Sequence, residues 1–579
     1  MAWERYPASR IGVENKRQML RNYRYFSIFL FALGLLAACG EKPVTPTPPG
    51  PVTPGSYTVS GAVLLDDGTP LAGVTVSDGY ACTVTDDQGK YYLDSDFSQR
   101  DYVFVSTPSH ASAPVVGGLP VFWKFYKDLE KGSDGRYSGV NFTLNKIARP
   151  DFFTIFIFAD PQPRSRSAGY DKMAYHSLDC CNDMYRDMKE LRATMTDRPV
   201  YGIGLGDIVH RELTLMPQYI KGMADAGVVT YNVIGNHDHD VSKPDDRTAC
   251  KTFESYVGPT NFSFNLGGIH FIVLDDMIAP DESTGKGRDE CSTGLTDEIW
   301  QWLQNDLSYV PFNTTLMVCA HSPMFRLLGG GERSGALHYA DYRNLFSKYA
   351  KVYAWAGHTH TTCNYVNLEN PVIETHTLTR VTGPLWTNEY MGSNGTPRGY
   401  VVLDCEDGTV SWRFKPTFYQ SGAWSATYPA KYDAPAYAWR DWDYGADGRA
   451  VMRGSSDKYL DGSYQMQLFP PGTYGDDYLY ANIFLWDELW KKPVFHAGGV
   501  PAAMTRVTDK KFRYSFSDAE MRTYYREHNK NLSAESSFAQ DSNNCESMFR
   551  VYVDPKGPKS GTVKVTDRFG NEYSSTITW

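Results

Sequence analysis

The sequence predicts an α/β protein in which a layered core of alternating strands and helices is flanked by two β-rich domains. Three observations predict it. At 579 residues the chain is too long for one core, since domains commonly run ~100–200 residues. Between residues 150 and 404, apolar runs of strand length alternate with stretches at helical spacing. On either side the text is rich in turns and alternates at period two, with aromatic residues at 14% of the whole chain, a usage that suits β cores and carbohydrate-binding faces. Hydrophobic residues at 42% and charged residues at 21% exclude wholesale disorder. Lys+Arg 57 against Asp+Glu 67 leaves a net charge of −10 without any basic block, so no nucleic-acid surface is expected.

Residues 1–38 read as a secretory signal peptide. The apolar run at 26–38 falls short of the ~20 residues that a membrane span needs. Arg21 and Arg24 give it a basic flank, and Met19 is the expected start. The run closes as Leu36-Ala37-Ala38-Cys39, which resembles a bacterial lipobox and so implies a lipidated Cys39. Residues 39–56 are then that cysteine and a proline-rich tether, an extended and semi-rigid stalk. The protein is expected to be exported and lipid-anchored to a bacterial membrane, at the periplasm or the cell surface. Nine cysteines remain beyond Cys39, with no CxxC spacing. They read as scattered buried thiols, with a disulfide among them left open.

Residues 57–147 read as an N-terminal β-sandwich. Strand patterns at 57–65, 70–76 and 83–93 are broken by Asp66-Asp67-Gly68 and Gln88-Gly89 turns. The pattern resembles the carboxypeptidase-regulatory-like sandwiches that precede enzymes in secreted bacterial proteins. In 150–404, runs at 152–158, 200–205, 228–234, 269–274, 316–320 and 352–356 read as buried strands. Met184, Met188 and Leu191 lie at helical spacing, as do Leu215, Tyr219 and Met223 before Gly227. Residues 405–579 read as a C-terminal β-rich domain, with strands at 478–486 and 562–566 and a turn at Asp567-Arg568-Phe569-Gly570.

Five polar signatures follow five of the apolar runs. They are Asp160-Pro161-Gln162, Gly206-Asp207, Gly235-Asn236-His237-Asp238, Ala320-His321 and Gly357-His358-Thr359-His360. Ligands of open α/β sheets collect outside the carboxyl ends of strands, so the five are expected on one rim. Two divalent ions ~3.5–4 Å apart need a bridging carboxylate, several imidazoles, and amide or carboxylate oxygens. Asp160, Gln162, Asp207, Asn236, His321, His358 and His360 are of those types. A glycine before Asp207, Asn236 and His358 is expected to let the chain turn tightly at each strand end.

In this order the signatures resemble those of the calcineurin-like metallophosphoesterases, whose pattern runs D-x-H, G-D, G-N-H-[DE], a lone His, then G-H-x-H. The resemblance covers residues 150–404 and implies a layered β-sandwich with helices. It implies one divalent metal ion on Asp160, Gln162, Asp207 and His360. A second would sit on Asp207, Asn236, His321 and His358, with Asp207 and a hydroxide bridging the two. Mn, Fe, Zn or Mg would serve. His237 would protonate the leaving alcohol or steady the phosphoryl oxygens, and Asp238 would orient its ring. The departure is Gln162, where familiar members carry His. An amide oxygen is a harder, weaker donor, which leaves the metal's identity open.

The activity implied is hydrolysis of phosphate esters on a phosphorylated small molecule, glycan or protein. Monoesters are favoured by the generality of the family. The alternatives are a phosphodiesterase acting on nucleotides or on lipid or glycan phosphodiesters, and a surface binding lipoprotein with a vestigial site. Arg326, Arg333 and His338 lie beyond His321 in a glycine-rich loop, as either a substrate cover or a solvated loop. His210 is a further candidate contact, and His239 and Asp240 have no assigned role. There is no H-E-x-x-H, P-loop or G-x-S-x-G motif.

Overall fold

Apolar runs that lack a polar face need cover on both sides, and the middle of the chain provides it with two facing sheets and helices. The computed structural model describes residues 57–149, 151–165, 175–280, 291–324, 326–328, 331–333, 337–383, 396–417, 442–444, 450–452, 464–472, 475–507 and 545–579. The signal peptide, Cys39 and tether lie outside the described residues. The core strands are β1 (Phe152–Phe158), β2 (Val200–Leu205), β3 (Val229–Val233), β4 (Phe262–Leu266), β5 (Ile269–Val273) and β6 (Thr315–Cys319). They continue as β7 (Lys351–Ala356), β8 (Cys363–Val366), β9 (Ile373–Thr377), β10 (Gly399–Glu406) and β11 (Thr409–Pro416).

One sheet has the order β3-β2-β1-β10-β11, the other β4-β5-β6-β7-β9-β8. In the first, β1, β2 and β3 are parallel, while β10 pairs antiparallel with β1 and β11 with β10. In the second, β5, β6, β7 and β9 are parallel, closed by antiparallel β4 and β8. β1 shows why both faces are apolar. Phe153, Ile155 and Ile157 join the cluster that includes Phe271, Val273 and Val318 of the other sheet. Phe156 and Phe158 join Met184, Met188, Tyr219 and Met223, on the helices Tyr175–Ala193 and Met216–Ala226.

Three expectations shift. The core sheet runs to Pro416, past the 404 boundary, because β11 completes it. The 83–93 pattern is two strands, Cys82–Val84 and Lys90–Leu93, which belong to the opposite sheets of the N-terminal sandwich. Two turn-side amides bond to Asp86 Oδ1 and separate them. No disulfide links any two of the nine described cysteines. No helix of the described residues is long and apolar enough to cross a membrane.

The N-terminal sandwich packs on the core through β4, where Asn265 N–H donates to the Thr107 carbonyl at 2.8 Å and Phe122 lies 4.8 Å from Phe262. The C-terminal part forms two four-stranded sheets. Its turn residue Arg568 grips Glu374 of β9 through both guanidinium nitrogens, at 2.5 and 2.8 Å, and reaches Asp487 at 3.2 Å. Glu374 and Asp487 are fully buried. Removing one partner of a buried pair strands the other's charge, at a cost of about 3–5 kcal/mol. Lys351 also contacts Glu374, so Arg568→Ala is expected at the lower end of that range in denaturant unfolding. A loss below about 1 kcal/mol, the value of an exposed pair, would contradict this reading.

Candidate metal centre

Each signature stands just beyond a strand. Asp160 follows β1, Asp207 β2, Asn236 β3, His321 β6 and His358 β7. The expected single rim is a junction. Three signatures end parallel strands of one sheet and two end parallel strands of the other, and the facing ends converge. The glycines matter for space as much as for turning. A Cβ on Gly235 would lie 2.2 Å from the Asp207 amide nitrogen, and one on Gly357 would lie 2.3 Å from Asp160 Oδ2. Neither position has room for any side chain. Among the described residues, five of the nine non-glycine residues at positive φ are candidate ligands: Asp160, Gln162, Asp207, His358 and His360. Backbone held this way costs of order 1–3 kcal/mol per residue and gathers at functional sites.

All seven predicted ligands come together. Asp160 Oδ1 lies 3.3 Å from His360 Nε2, and Asp207 Oδ2 lies 3.4 Å from His321 Nε2. Asn236 Oδ1 is 3.2 Å from His321 Nε2 and 3.1 Å from His358 Nδ1, and those two nitrogens are 3.3 Å apart. His321 Nδ1 faces the Leu205 carbonyl at 2.8 Å. A carbonyl only accepts, so the ring proton sits on Nδ1 and Nε2 presents a lone pair. That lone pair meets a carboxylate oxygen, an amide oxygen and a ring nitrogen. A lone pair facing a carboxylate oxygen and an amide oxygen in a buried site needs a cation between them.

Two further observations agree. Gln162 Nε2 donates to Asp207 Oδ2 at 2.6 Å, while its buried Oε1 has no hydrogen-bond partner. Burial works to lower the proton affinity of His321, yet Asp207 and then Asp160 push its pKa up to about 10. A bound proton there stands in for missing positive charge. The residues therefore fit the pair of divalent ions. If Gln162 Oε1 is one ligand among four, Gln162→Ala raises the metal concentration that activity requires by about 10–100-fold. Turnover at saturating metal persists, because water can replace a neutral ligand. Metal titrations read by activity check this, and an unchanged requirement would remove Gln162 from the set.

His237 and Asp238 separate in role. The Asp238 carboxylate accepts from the backbone amides of Ile208, Val209 and Gly235 at 2.9–3.1 Å. It braces the β2 turn against the β3 turn instead of orienting the His237 ring, as had been expected. The ring's partner is Arg211, whose Nε donates to His237 Nδ1 at 3.1 Å. His237 Nε2 faces Asp207 Oδ2 at 4.0 Å, and the buried His210 ring lies 4.0 Å from its own. Burial and then Arg211 among its neighbours lower the His237 pKa, against the pull of Asp207.

The sequence reading missed Arg211, Asp276 and Arg380. Asp276 Oδ1 accepts from the His321 amide at 2.9 Å, and buried Arg380 donates to the Asp160 carbonyl at 3.2 Å. Only Arg211 carried a signal, one place after His210 at a strand end. Arg326 and Arg333 pair through their backbones in a small hairpin. His338 is held by Asp297 and Asp341 and stacks on Trp300. Asp240 Oδ1 accepts from Ser242.

The N-terminal model of calcineurin-like phosphoesterases matches residues 57–147, and the C-terminal model of the same family matches 376–573. No curated protein sequence matches significantly. Among solved structures, a dimetal phosphatase from Danio rerio is 14% identical, over 46% of this chain and 96% of its own, with a TM-score of 0.31. A purple acid phosphatase from yellow lupin seeds is 13% identical, over 60% and 67%, at 0.32, and a 5'-nucleotidase from Candida albicans 12%, over 47% and 53%, at 0.28. Likenesses this distant carry no functional argument. The two family matches flank residues 148–375, the stretch that holds all seven ligand candidates. With the family's own N- and C-terminal modules on either side of that strand-end ligand set, this chain belongs to the calcineurin-like phosphoesterases and is a metal-dependent phosphoric ester hydrolase.

Proposed function

We propose that the chain hydrolyses phosphomonoesters, with one divalent ion on Asp160, Gln162, Asp207 and His360 and a second on Asp207, Asn236, His321 and His358. The observation that carries this reading is the convergence of donor atoms around Asp207, above all His321 Nε2 facing the Asp207 carboxylate and the Asn236 amide oxygen. Bound there, two divalent ions lower the pKa of water and neutralise charge on phosphoryl oxygens. The donor set is all nitrogen and oxygen, which suits Mn, Fe, Zn or Mg.

The chain's own groups do the rest. Arg211 has no lone pair, so its bond to Nδ1 fixes the His237 proton on Nε2, the nitrogen that faces the centre. Neutral His237 is then a hydrogen-bond donor aimed where phosphoryl oxygens would lie. That favours the steadying role over protonation of the leaving alcohol. The Arg211 charge beside it suits a dianionic monoester better than a monoanionic diester. Aryl phosphate monoesters and bis-esters, assayed with Mn, Mg, Zn and Fe added separately, test the reading. Faster turnover of monoesters is expected, and faster turnover of bis-esters would replace it with a diesterase.

We also propose that the protein is exported and held at a membrane by a lipid on Cys39, on the support of Leu36-Ala37-Ala38-Cys39 and the proline-rich stretch after it. Cys39→Ser is expected to shift the protein from the membrane fraction to the soluble exported fraction. Unchanged detergent partitioning would contradict the anchor.

A further inference from the structure

A second cluster of metal-type donors lies behind the Asn236-His237 turn. His239, Cys250 and Asp275 each offer one ligand atom, all within 4.8 Å of one another and all buried. Cys250 Sγ is 3.5 Å from Asp275 Oδ2, and His239 Nε2 is 3.8 Å from the same oxygen and 3.5 Å from Asp246 Oδ1. Tetrahedral zinc sites have bonds of about 2.0–2.3 Å. The edges of such a tetrahedron are about 3.3–3.8 Å, because an edge is about 1.6 times the bond. The Cys250–Asp275 and His239–Asp275 separations fall in that window.

The tautomer points the same way. His239 Nδ1 faces the Gly235 carbonyl at 2.8 Å and so carries the proton. Its Nε2 is then a lone pair, 1% exposed as a residue and without a hydrogen-bond partner. An unpartnered imidazole nitrogen aimed at two carboxylates and a sulfur is a ligand arrangement, not a packing one.

From these distances we infer that the protein holds a further zinc ion, separate from the Asp207 centre, on His239, Cys250 and Asp275, with Asp246 beside His239. The mixed nitrogen, sulfur and oxygen set selects zinc over Mg or Mn. Binding replaces the proton that Cys250 shares with Asp275, and that proton leaves to solvent. A cavity of about 450 Å³ between the N-terminal sandwich and the core reaches Asp246, Cys250 and Asp275. Its lining has eight carboxylates against three cationic side chains, which draws cations in.

The three ligands are all buried side chains, so the ion is structural. It ties the turn bearing Asn236 and His237 to the segment 246–256 and to the strand end after β5. There Asp276, next to Asp275, holds the His321 amide. The ion would thus set the positions of ligands it does not touch.

The test uses the full chain and zinc itself. Elemental analysis after dialysis is expected to show about one zinc fewer per chain in Cys250→Ser than in the parent. Cobalt(II) loaded in place of zinc is expected to give a near-ultraviolet sulfur-to-cobalt absorption that Cys250→Ser loses. The Asp207 centre has no sulfur ligand, so this signal is independent of the phosphoesterase reading. Equal zinc in both proteins, or an absorption that survives the substitution, would overturn the inference. If Cys250→Ser does not fold, alkylation of Cys250 in the parent protein, followed by mass spectrometry, decides. Protection by zinc supports the site and equal labelling with and without zinc overturns it.

Discussion

Asp207→Asn is expected to lose both metal and activity. Asp207 contacts both halves of the cluster through its side chain, Gln162 on one side and His321 on the other. Asparagine keeps the shape and can still accept the His237 amide that Asp207 Oδ1 receives at 2.8 Å. It cannot supply the negative charge that two cations share. Lewis-acid stabilisation is worth several kcal/mol, and each 1.4 kcal/mol or so is tenfold in rate, so a fall of about 10³-fold or more is expected. Metal content of the Asp207 centre should fall with it. The fold should persist, since the substitution removes a buried charge without changing volume. Turnover within tenfold of the parent would show that Asp207 does not bridge.

His237→Ala is expected to keep its metal and lose about 10²–10³-fold in turnover, the usual cost of one donor to a transition-state oxygen. The Arg211 contact makes a further demand. A neutral donor to a phosphoryl oxygen matters about equally for every leaving group, whereas a proton donor to the alcohol matters least for good ones. The loss should therefore be uniform across a series of aryl phosphates. A loss that shrinks steadily as the leaving group improves would restore His237 as the acid. Arg211→Ala should reproduce part of the deficit, because it frees the tautomer that Arg211 fixes.

Much of this was legible in the sequence because parallel strands buried on both faces read as unbroken apolar runs, and five of the six runs here end on a ligand. Phe152–Phe158 and Val200–Leu205 lie where the runs predict. The junction of two sheets was not legible. Whether β6 and β7 extend the sheet of β1 or build a second one is decided by pairing, which leaves no mark on either run. The same holds for β10, whose partner β1 lies more than two hundred residues earlier. Side-chain roles were legible as types and less so as contacts. Asp238 reads as the natural partner of its neighbour His237, yet three backbone amides at the crossing of two turns claim it. Arg211 reads as an ordinary turn cation, and only the folded turn brings it to His237. His239 and Cys250 are unremarkable apart in sequence and become a cluster only when the segment 246–256 folds back on the β3 turn.

The central claim is that the strand-end cluster works only when divalent ions fill it. The most direct measurement is phosphate release from an aryl phosphomonoester by chelator-stripped protein as one divalent metal is added back. The account predicts no turnover by the stripped protein, and recovery that needs at least two bound ions per chain. Undiminished turnover after stripping, or full recovery with a single ion bound, would contradict it.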